Sequence, residues 1–260
     1  MNKIFTRGTK LLKSFLAAIV FYTVVPLPKN WVLEFGQIAR WAPLIGVIIG
    51  IFLGIIDWIL YQVGMQPLTC SILLVLIWIA LTGGLHLDGV IDTADGLAVL
   101  DPQRRLEVMN DSVIGAFGAM AAIAIILLKS AALSEIPSYR WLILVNCAGW
   151  ARFSQVVAIA FYSYLKPAGK GKFHKENFCF PQDILLGLVL LLCLNGILTY
   201  FNPNQWLMLM LLSISGFSTA IAVSWWFNKQ LGGYTGDVYG SVIEWTEGIL
   251  LLLSTIFFNW

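Results

Sequence analysis

Seven stretches of the chain are apolar over about 20 residues, the length that an α-helix needs to cross a bilayer. Short segments rich in charged residues, glycine or proline separate these stretches. The pattern predicts an all-α, polytopic helical membrane protein with about seven transmembrane helices. We place these helices near residues 42–63, 69–87, 113–134, 141–163, 184–201, 206–227 and 240–258.

A shorter apolar segment precedes the first of these spans. Residues 11–25 are apolar but end at the Pro26-Leu27-Pro28 break, so they favour an interfacial or re-entrant helix over a full crossing. No internal repeat and no soluble domain is visible. We therefore treat residues 1–260 as a single integral membrane catalytic domain.

Composition agrees with this class, since 59% of the residues are hydrophobic and only 12% are charged, against about 25% charged in soluble domains. Most of the sixteen basic residues fall in the segments that are cytoplasmic when the N-terminus is inside, as the positive-inside rule requires. The same topology puts three polar segments on the cytoplasmic side: residues 88–112, 166–183 and 228–240.

The first polar segment carries three aspartates, Asp88, Asp92 and Asp95, at spacing i, i+4, i+7. On a helix this spacing places all three on one face, where they would repel one another unless a cation lies among them. Carboxylate oxygens suit Mg²⁺, which shares its remaining positions with substrate phosphates. The alternative is a solvated acidic helix end.

Further along, Arg104 and Asp111 are candidates for substrate binding, because arginine can bind phosphate through two parallel hydrogen bonds. The alternative is a solvated connector. The loop after residue 165 contains Lys166 and Lys170 beside two glycines, a composition suited to phosphate. An anchor to anionic lipid fits that loop equally well.

The last span begins with Asp237, Glu244 and Glu247, which share one helix face. Glu247 would lie about 15 Å along the helix, and an ionisable group at that depth indicates function. Arg152 is its natural counter-charge, and we assign Arg152 and Glu244 to substrate binding. A structural ion pair is the alternative. Lys129 could simply extend toward the outer surface.

Three sequence stretches, GGLHLDGVIDTADGL, RRLEVMNDSVIGAFG and LGGYTGDVYGSVIEWTE, resemble the cobalamin synthase family (adenosylcobinamide-GDP ribazoletransferase). The resemblance covers essentially the whole chain. One departure is at Lys166, where the family usually carries arginine followed by Pro-Glu-Gly, and lysine lacks the two-pronged hydrogen-bonding geometry of arginine. The residues that match the family's motifs are Asp88, Asp92, Asp95, Asp111, Ser112, Gly115, Thr235, Gly236 and Asp237.

The resemblance implies an enzyme of the prokaryotic inner membrane, with its active site facing the cytoplasm. Its substrates would be adenosylcobinamide-GDP and α-ribazole or α-ribazole 5′-phosphate, its products adenosylcobalamin or its phosphate and GMP, and its cofactor Mg²⁺. We expect the lipid bilayer but no nucleic acid as a partner. The oligomeric state stays open, with a homodimer as one option.

The residues fit this reaction as follows. The three clustered aspartates would hold Mg²⁺ against the diphosphate, and Arg104 with the lysine loop would stabilise the leaving GMP. Asp95 or Asp237 would orient, or accept the proton of, the ribazole 5′-hydroxyl, and Thr235 would bind substrate. The alternatives are a CDP-alcohol phosphotransferase acting on lipid head groups and an ion-coupled transporter.

Overall fold

The computed structural model describes residues 2–167, 169 and 171–257, with side chains from residue 8 onward. Two short 3₁₀-helices, Ile38–Trp41 and Pro203–Gln205, precede α2 and α10. The α-helices of the described residues are α1 (Asn2–Tyr22), α2 (Ala42–Gln62), α3 (Pro67–Leu81), α4 (Leu85–Ala98), α5 (Pro102–Val108), α6 (Ala116–Glu135), α7 (Arg140–Phe161), α8 (Lys172–Glu176), α9 (Gln182–Phe201), α10 (Trp206–Leu231) and α11 (Gly236–Phe257).

Six helices of the described chain, α2, α6, α7, α9, α10 and α11, are long and apolar enough to cross a membrane, and α3 with α4 would make a seventh if that bent pair counts as one span. The all-α, polytopic prediction is thus confirmed. Helix α1, predicted from residue 11, begins earlier and ends at Tyr22, before the proline break, and it is not among these six.

The predicted span at 69–87 was wrong only after residue 81. Helix α3 ends at Leu81, and α4 leaves it at an angle of 91°. Gly83 and Gly84 make this turn with φ of +64° and +70°, a backbone region that glycine enters without steric cost. The turn separates the apolar α3 from the helix that carries the aspartates.

Helix α7 is the centre of the molecule, and every residue from Leu142 to Ile159 on it is buried. It packs most extensively against α2. A side chain at Gly46 or Gly50 of α2 would overlap the α7 backbone, since a Cβ would lie 2.1 Å from the Ala148 carbonyl oxygen or 2.4 Å from Val145 Cα. The two helices can therefore touch along their backbones, and α7 presents its other side to α10 and α11.

Candidate active site

The aspartate-bearing helix α4 lies directly against the start of α11. At Gly89 a Cβ would lie only 2.3 Å from the carbonyl oxygen of Asp237, so a residue without a side chain is required for this approach. The Ser241 hydroxyl donates a hydrogen bond of 2.9 Å to the Gly89 carbonyl. This contact brings the two acidic motifs, more than a hundred residues apart in the chain, to one place.

The pKa of Asp92 indicates that the carboxylates lie close together. Its pKa is raised from 3.8 to about 6, first by partial burial and then by the negative charges of Asp88 and Asp237. Lys166 acts in the opposite direction. The Asp92 side chain is only half-buried, so part of it stays accessible. Mutual repulsion of this kind is relieved when a cation binds.

Asp95, the third member of the predicted metal-binding set, has a different environment. The Gly115 and Gly118 N–H groups donate hydrogen bonds of 2.7 Å and 2.8 Å to its two oxygens. These glycines lie at the N-terminus of α6, where backbone N–H groups have no partner within the helix. The Asp95 carboxylate therefore caps α6. This contact with α6, and not the spacing of the aspartates along α4, determines where the Asp95 side chain points.

Within the described ranges, no group of three His, Cys, Asp or Glu side chains could hold a metal ion by itself. Mg²⁺ does not need such a group, because it is usually bound by one or two carboxylates together with substrate phosphates and water. Asp88 and Asp92 fit that requirement. Their assignment to a metal, like that of Asp95, stays a prediction.

The lysine loop and the glycine-rich turn before α11 are joined by backbone pairing. Tyr164 and Tyr234 form an isolated parallel bridge, in which the Leu165 N–H donates to the Tyr234 carbonyl at 2.8 Å. This pairing places Lys166 over the start of α11. The predicted ligand Lys170 lies outside the described residues.

Asp237 collects the polar contacts of this turn. Its Oδ2 accepts a hydrogen bond of 3.0 Å from Lys166 Nζ and one of 3.1 Å from the Thr235 hydroxyl. The Lys166 and Asp237 side chains are 19% and 27% exposed, so a ligand can reach both. The structure thus brings together five of the predicted residues: Asp88, Asp92, Lys166, Thr235 and Asp237.

Arg152 and Glu244 belong to a second, fully buried cluster. Arg152 Nη1 donates to Glu247 Oε1 at 2.7 Å, and Lys129 Nζ donates to Glu244 Oε2 at 2.9 Å and also to Glu247. Two acids and two bases therefore neutralise each other. This arrangement is the structural ion pair that the sequence left as an alternative, enlarged to four residues.

Lys129 corrects a further expectation. It does not extend toward the outer surface, because its side chain is only 1% exposed and lies between two glutamates, with its ammonium 4.2 Å from the centre of the Trp78 ring. No local pattern indicates this role, since the partners of Lys129 are more than 110 residues away.

Arg104 and Asp111 are exposed on the segment that links α4 to α6. Asp111 accepts a hydrogen bond from the Val113 N–H at 3.1 Å, and in the part of the chain described, no hydrogen bond or ion pair joins either residue to the aspartates. The neighbouring Arg105 instead anchors this segment, donating to the carbonyls of Val99 and Gln230. The phosphate-binding role of Arg104 stays a prediction.

A cavity of about 430 Å³ opens beside the acidic motifs, and Asp88 and Asp237 both line it. His86, Gln155 and His174 also line it. None of these three residues was among the predicted site residues. They come from α4, α7 and α8, so no motif could have grouped them.

Comparison with known proteins now decides the family. The model of the Cobalamin-5-phosphate synthase family matches residues 14–255. The chain belongs to this family. The lipid head-group and transporter alternatives are therefore set aside.

Individual family members are similar over nearly their whole length. The chain is 51% identical to an adenosylcobinamide-GDP ribazoletransferase of Trichormus variabilis, covering 95% of this chain and 98% of the relative. It is 45% identical to the enzyme of that name from Thermosynechococcus vestitus, over 95% and 97%. No solved structure is significantly similar to the chain.

Proposed function

We propose that the protein is an adenosylcobinamide-GDP ribazoletransferase, which joins adenosylcobinamide-GDP to α-ribazole or its 5′-phosphate and releases GMP. Family membership and the names of relatives covering 95% of the chain support the reaction. The observation that carries the assignment of the site is the convergence of Asp92 on α4 with Asp237 and Lys166. Such a site suits transfer from a diphosphate, which requires positioning and charge neutralisation.

In this reaction a ribose hydroxyl oxygen attacks the phosphorus that carries cobinamide. A new P–O bond forms, the P–O bond to the GMP phosphate breaks, and GMP leaves with the bond's electron pair. The hydroxyl proton passes to a protein carboxylate or to water. The family is named for a cobalamin-5-phosphate, a product in which the 5′ oxygen of the ribose carries a phosphate. An oxygen that already carries phosphate cannot attack. We therefore propose that another ribose hydroxyl, and not the expected 5′-hydroxyl, is the nucleophile.

Asp237 is the better of the two predicted groups for orienting this hydroxyl. Asp95 uses both oxygens to cap α6, whereas the described hydrogen bonds of Asp237 all go to Oδ2. Its Oδ1 is then the acceptor for the ribose hydroxyl, a contact that general base catalysis requires. Lys166, beside it, supplies positive charge to the phosphate oxygens.

Asp88 and Asp92 would hold Mg²⁺, with Asp95 restricted to positioning α6. When bound, the ion neutralises charge on the diphosphate. The residues fit the ion because two carboxylates on one helix face leave the remaining positions to phosphate and water. Protonation of Asp92 opposes this role, so its ionised form is the active one.

We further propose that the site faces the cytoplasm at the inner membrane of a prokaryotic cell, with the apolar helices spanning the bilayer. The distribution of basic residues supports this orientation. The buried Arg152, Glu244, Glu247 and Lys129 then form a neutral cluster beneath the site and hold α6, α7 and α11 together. Their contribution to substrate binding is indirect.

The deciding experiment uses the purified protein in lipid nanodiscs with adenosylcobinamide-GDP, α-ribazole and Mg²⁺. We expect GMP and adenosylcobalamin to appear in equal amounts, and Asp92→Asn to abolish both. A matched control, Glu107→Gln, changes an exposed carboxylate on α5 and should retain activity. Failure of the native protein to release GMP would contradict the proposed reaction.

A further inference from the structure

Helices α4 and α10 both pack against α11 but make few direct contacts with each other within the described chain. The space between them is a groove of about 560 Å³, which all three helices line. Its walls are almost entirely apolar and include Trp225, Trp226 and Trp245. Because Trp225 and Trp226 are 52% and 44% exposed, the groove is accessible from outside the protein.

On α4 the groove and the carboxylates lie on opposite faces. Thr93, Ala94 and Leu97 line the groove, and at roughly 100° per residue they lie on the other side of the helix from Asp88 and Asp92. A ligand in the groove therefore contacts the back of the helix that carries the acidic motif. Such a ligand takes no direct part in the reaction.

The groove continues along α10 toward the middle of that helix. A second apolar depression includes Phe217 and Ile221 and shares Ala222 and Trp225 with the first. From Phe217 to Phe227 the combined track is about 15 Å long at 1.5 Å per residue. This is half of the ~30 Å hydrocarbon core of a bilayer, so the track matches one acyl chain of one leaflet.

The end of the track near the C-terminus of α10 is positively charged. The exposed Lys229 has its Nζ 5.0 Å from the centre of the Trp225 ring. Arg105 reaches the same end of α10, where its Nη1 donates to the Gln230 carbonyl at 2.7 Å. Among the described residues, no ion pair includes Lys229 or Arg105. An apolar track with a cationic end is complementary to a lipid with an anionic head group.

We propose that this groove binds one anionic phospholipid, with an acyl chain along α10 and the phosphodiester head group beside Lys229 and Arg105. The lipid fills the space between α4 and α10 and thereby stabilises the packing of α4 on α11. The inference rests on the membrane placement proposed above and not on the identity of the reaction.

The first test measures lipid retention by the full-length protein. Nanodiscs contain equal amounts of phosphatidylglycerol and phosphatidylcholine with the same acyl chains, and native mass spectrometry identifies the lipid that stays bound on release. We expect one phosphatidylglycerol molecule on the native protein. Lys229→Met should lower the preference for this lipid about fivefold, the effect of one lysine on attraction to an anionic lipid surface. Lys29→Met is the matched control, because Lys29 is exposed and does not line the groove.

The second test locates the acyl chain through tryptophan fluorescence, which bromine atoms on a lipid chain quench on contact. At equal mole fraction in phosphatidylcholine nanodiscs, brominated phosphatidylglycerol should quench the native protein more than brominated phosphatidylcholine does. Ala222→Phe fills the groove from its exposed wall on α10 and should remove this excess. Ala131→Phe adds the same ring at an exposed position of α6 and should retain it.

Three results would overturn the inference. Equal quenching and equal retention of the two lipids would indicate ordinary bilayer contact without a site. Native protein released as a pair of chains without lipid would show that a second copy covers the groove. Undiminished retention of phosphatidylglycerol by folded Ala222→Phe would place the lipid elsewhere.

The same data distinguish this inference from the proposed function. Native protein that retains phosphatidylglycerol but releases no GMP would contradict the reaction and leave the lipid site intact. Normal GMP release by protein that retains no phosphatidylglycerol would do the reverse.

Discussion

Lys166 Nζ lies 3.0 Å from Asp237 Oδ2, and this contact joins the lysine loop to the first turn of α11. The residues are 71 positions apart and meet because Tyr164 pairs with Tyr234. We expect Lys166→Met to lower kcat/KM for GMP release by about 100-fold, as removal of one charged group that stabilises the transition state does. Lys166→Arg keeps the charge and should retain most of the activity.

Lys229→Met is the control for this prediction, because it removes an exposed lysine that lies over Trp225 at the end of α10. It should behave as the native protein does. Equal activity of Lys166→Met and Lys229→Met would show that the contact with Asp237 has no part in the reaction.

Gly89→Ala should disable the enzyme without touching a charged group. The new Cβ would lie 2.3 Å from the Asp237 carbonyl oxygen, so α4 must move away from α11. We expect a stability loss of about 1–3 kcal/mol from overpacking and an activity loss of about 100-fold from misplaced carboxylates. Gly196→Ala on α9, where nothing lies within 4 Å, should leave kcat unchanged, and circular dichroism should show the same helix content in both variants.

Asp95 should behave as a capping residue, not as a metal ligand. Asp95→Asn keeps one oxygen acceptor and loses the other, so one of the Gly115 and Gly118 N–H groups is left unpaired. We expect a loss of about 0.5–2 kcal/mol in stability, with the thermal shift produced by Mg²⁺ retained. A variant with native melting temperature but no response to Mg²⁺ would return Asp95 to the metal set.

The raised pKa of Asp92 predicts a pH-dependent response to Mg²⁺. Its pKa of about 6 in the folded protein exceeds the ordinary 3.8, so folding takes up protons between these values. This residue therefore makes stability decline as pH rises through that range, because partial burial and then the negative charges of Asp88 and Asp237 oppose its ionisation. A bound cation reverses the penalty, so the Mg²⁺-induced rise in melting temperature should be small near about pH 5 and large near about pH 7.5.

Asp92→Asn should abolish that pH dependence and most of the response to Mg²⁺, whereas Glu107→Gln should preserve both. A native protein whose Mg²⁺ response is the same at the two pH values would contradict the role given to Asp92.

Glu247→Gln should be among the most damaging single changes in the molecule. It leaves Arg152 and Lys129, both buried, with Glu244 as the remaining acid, and breaking a buried ion pair costs about 3–5 kcal/mol. We expect a sharp loss of folded protein from membranes, measured by yield and by melting temperature. Glu176→Gln breaks the exposed pair with Lys172 and should cost no more than about 1 kcal/mol.

Sequence reasoning correctly predicted the features that depend on the local pattern of residues. Apolar length identified the spanning helices, and the spacing of Asp88 and Asp92 placed them on one face. It failed where contacts between distant segments determine a side chain's role. Asp95 follows the same spacing, yet it accepts a hydrogen bond from the N-terminus of α6. Lys129 looked like a peripheral residue because its partners lie on α11. The end of α3 was missed because apolar residues continue beyond the glycine turn, at Leu85 and Leu87.

The buried quartet also constrains how the protein can be made. Lys129 leaves the ribosome 115 and 118 residues before Glu244 and Glu247, a delay on the order of 10 s at roughly 5–20 residues per second. Throughout that interval α6 carries an uncompensated positive charge that opposes its insertion. We therefore expect α6 to reach its final packing only after α11 has been synthesised.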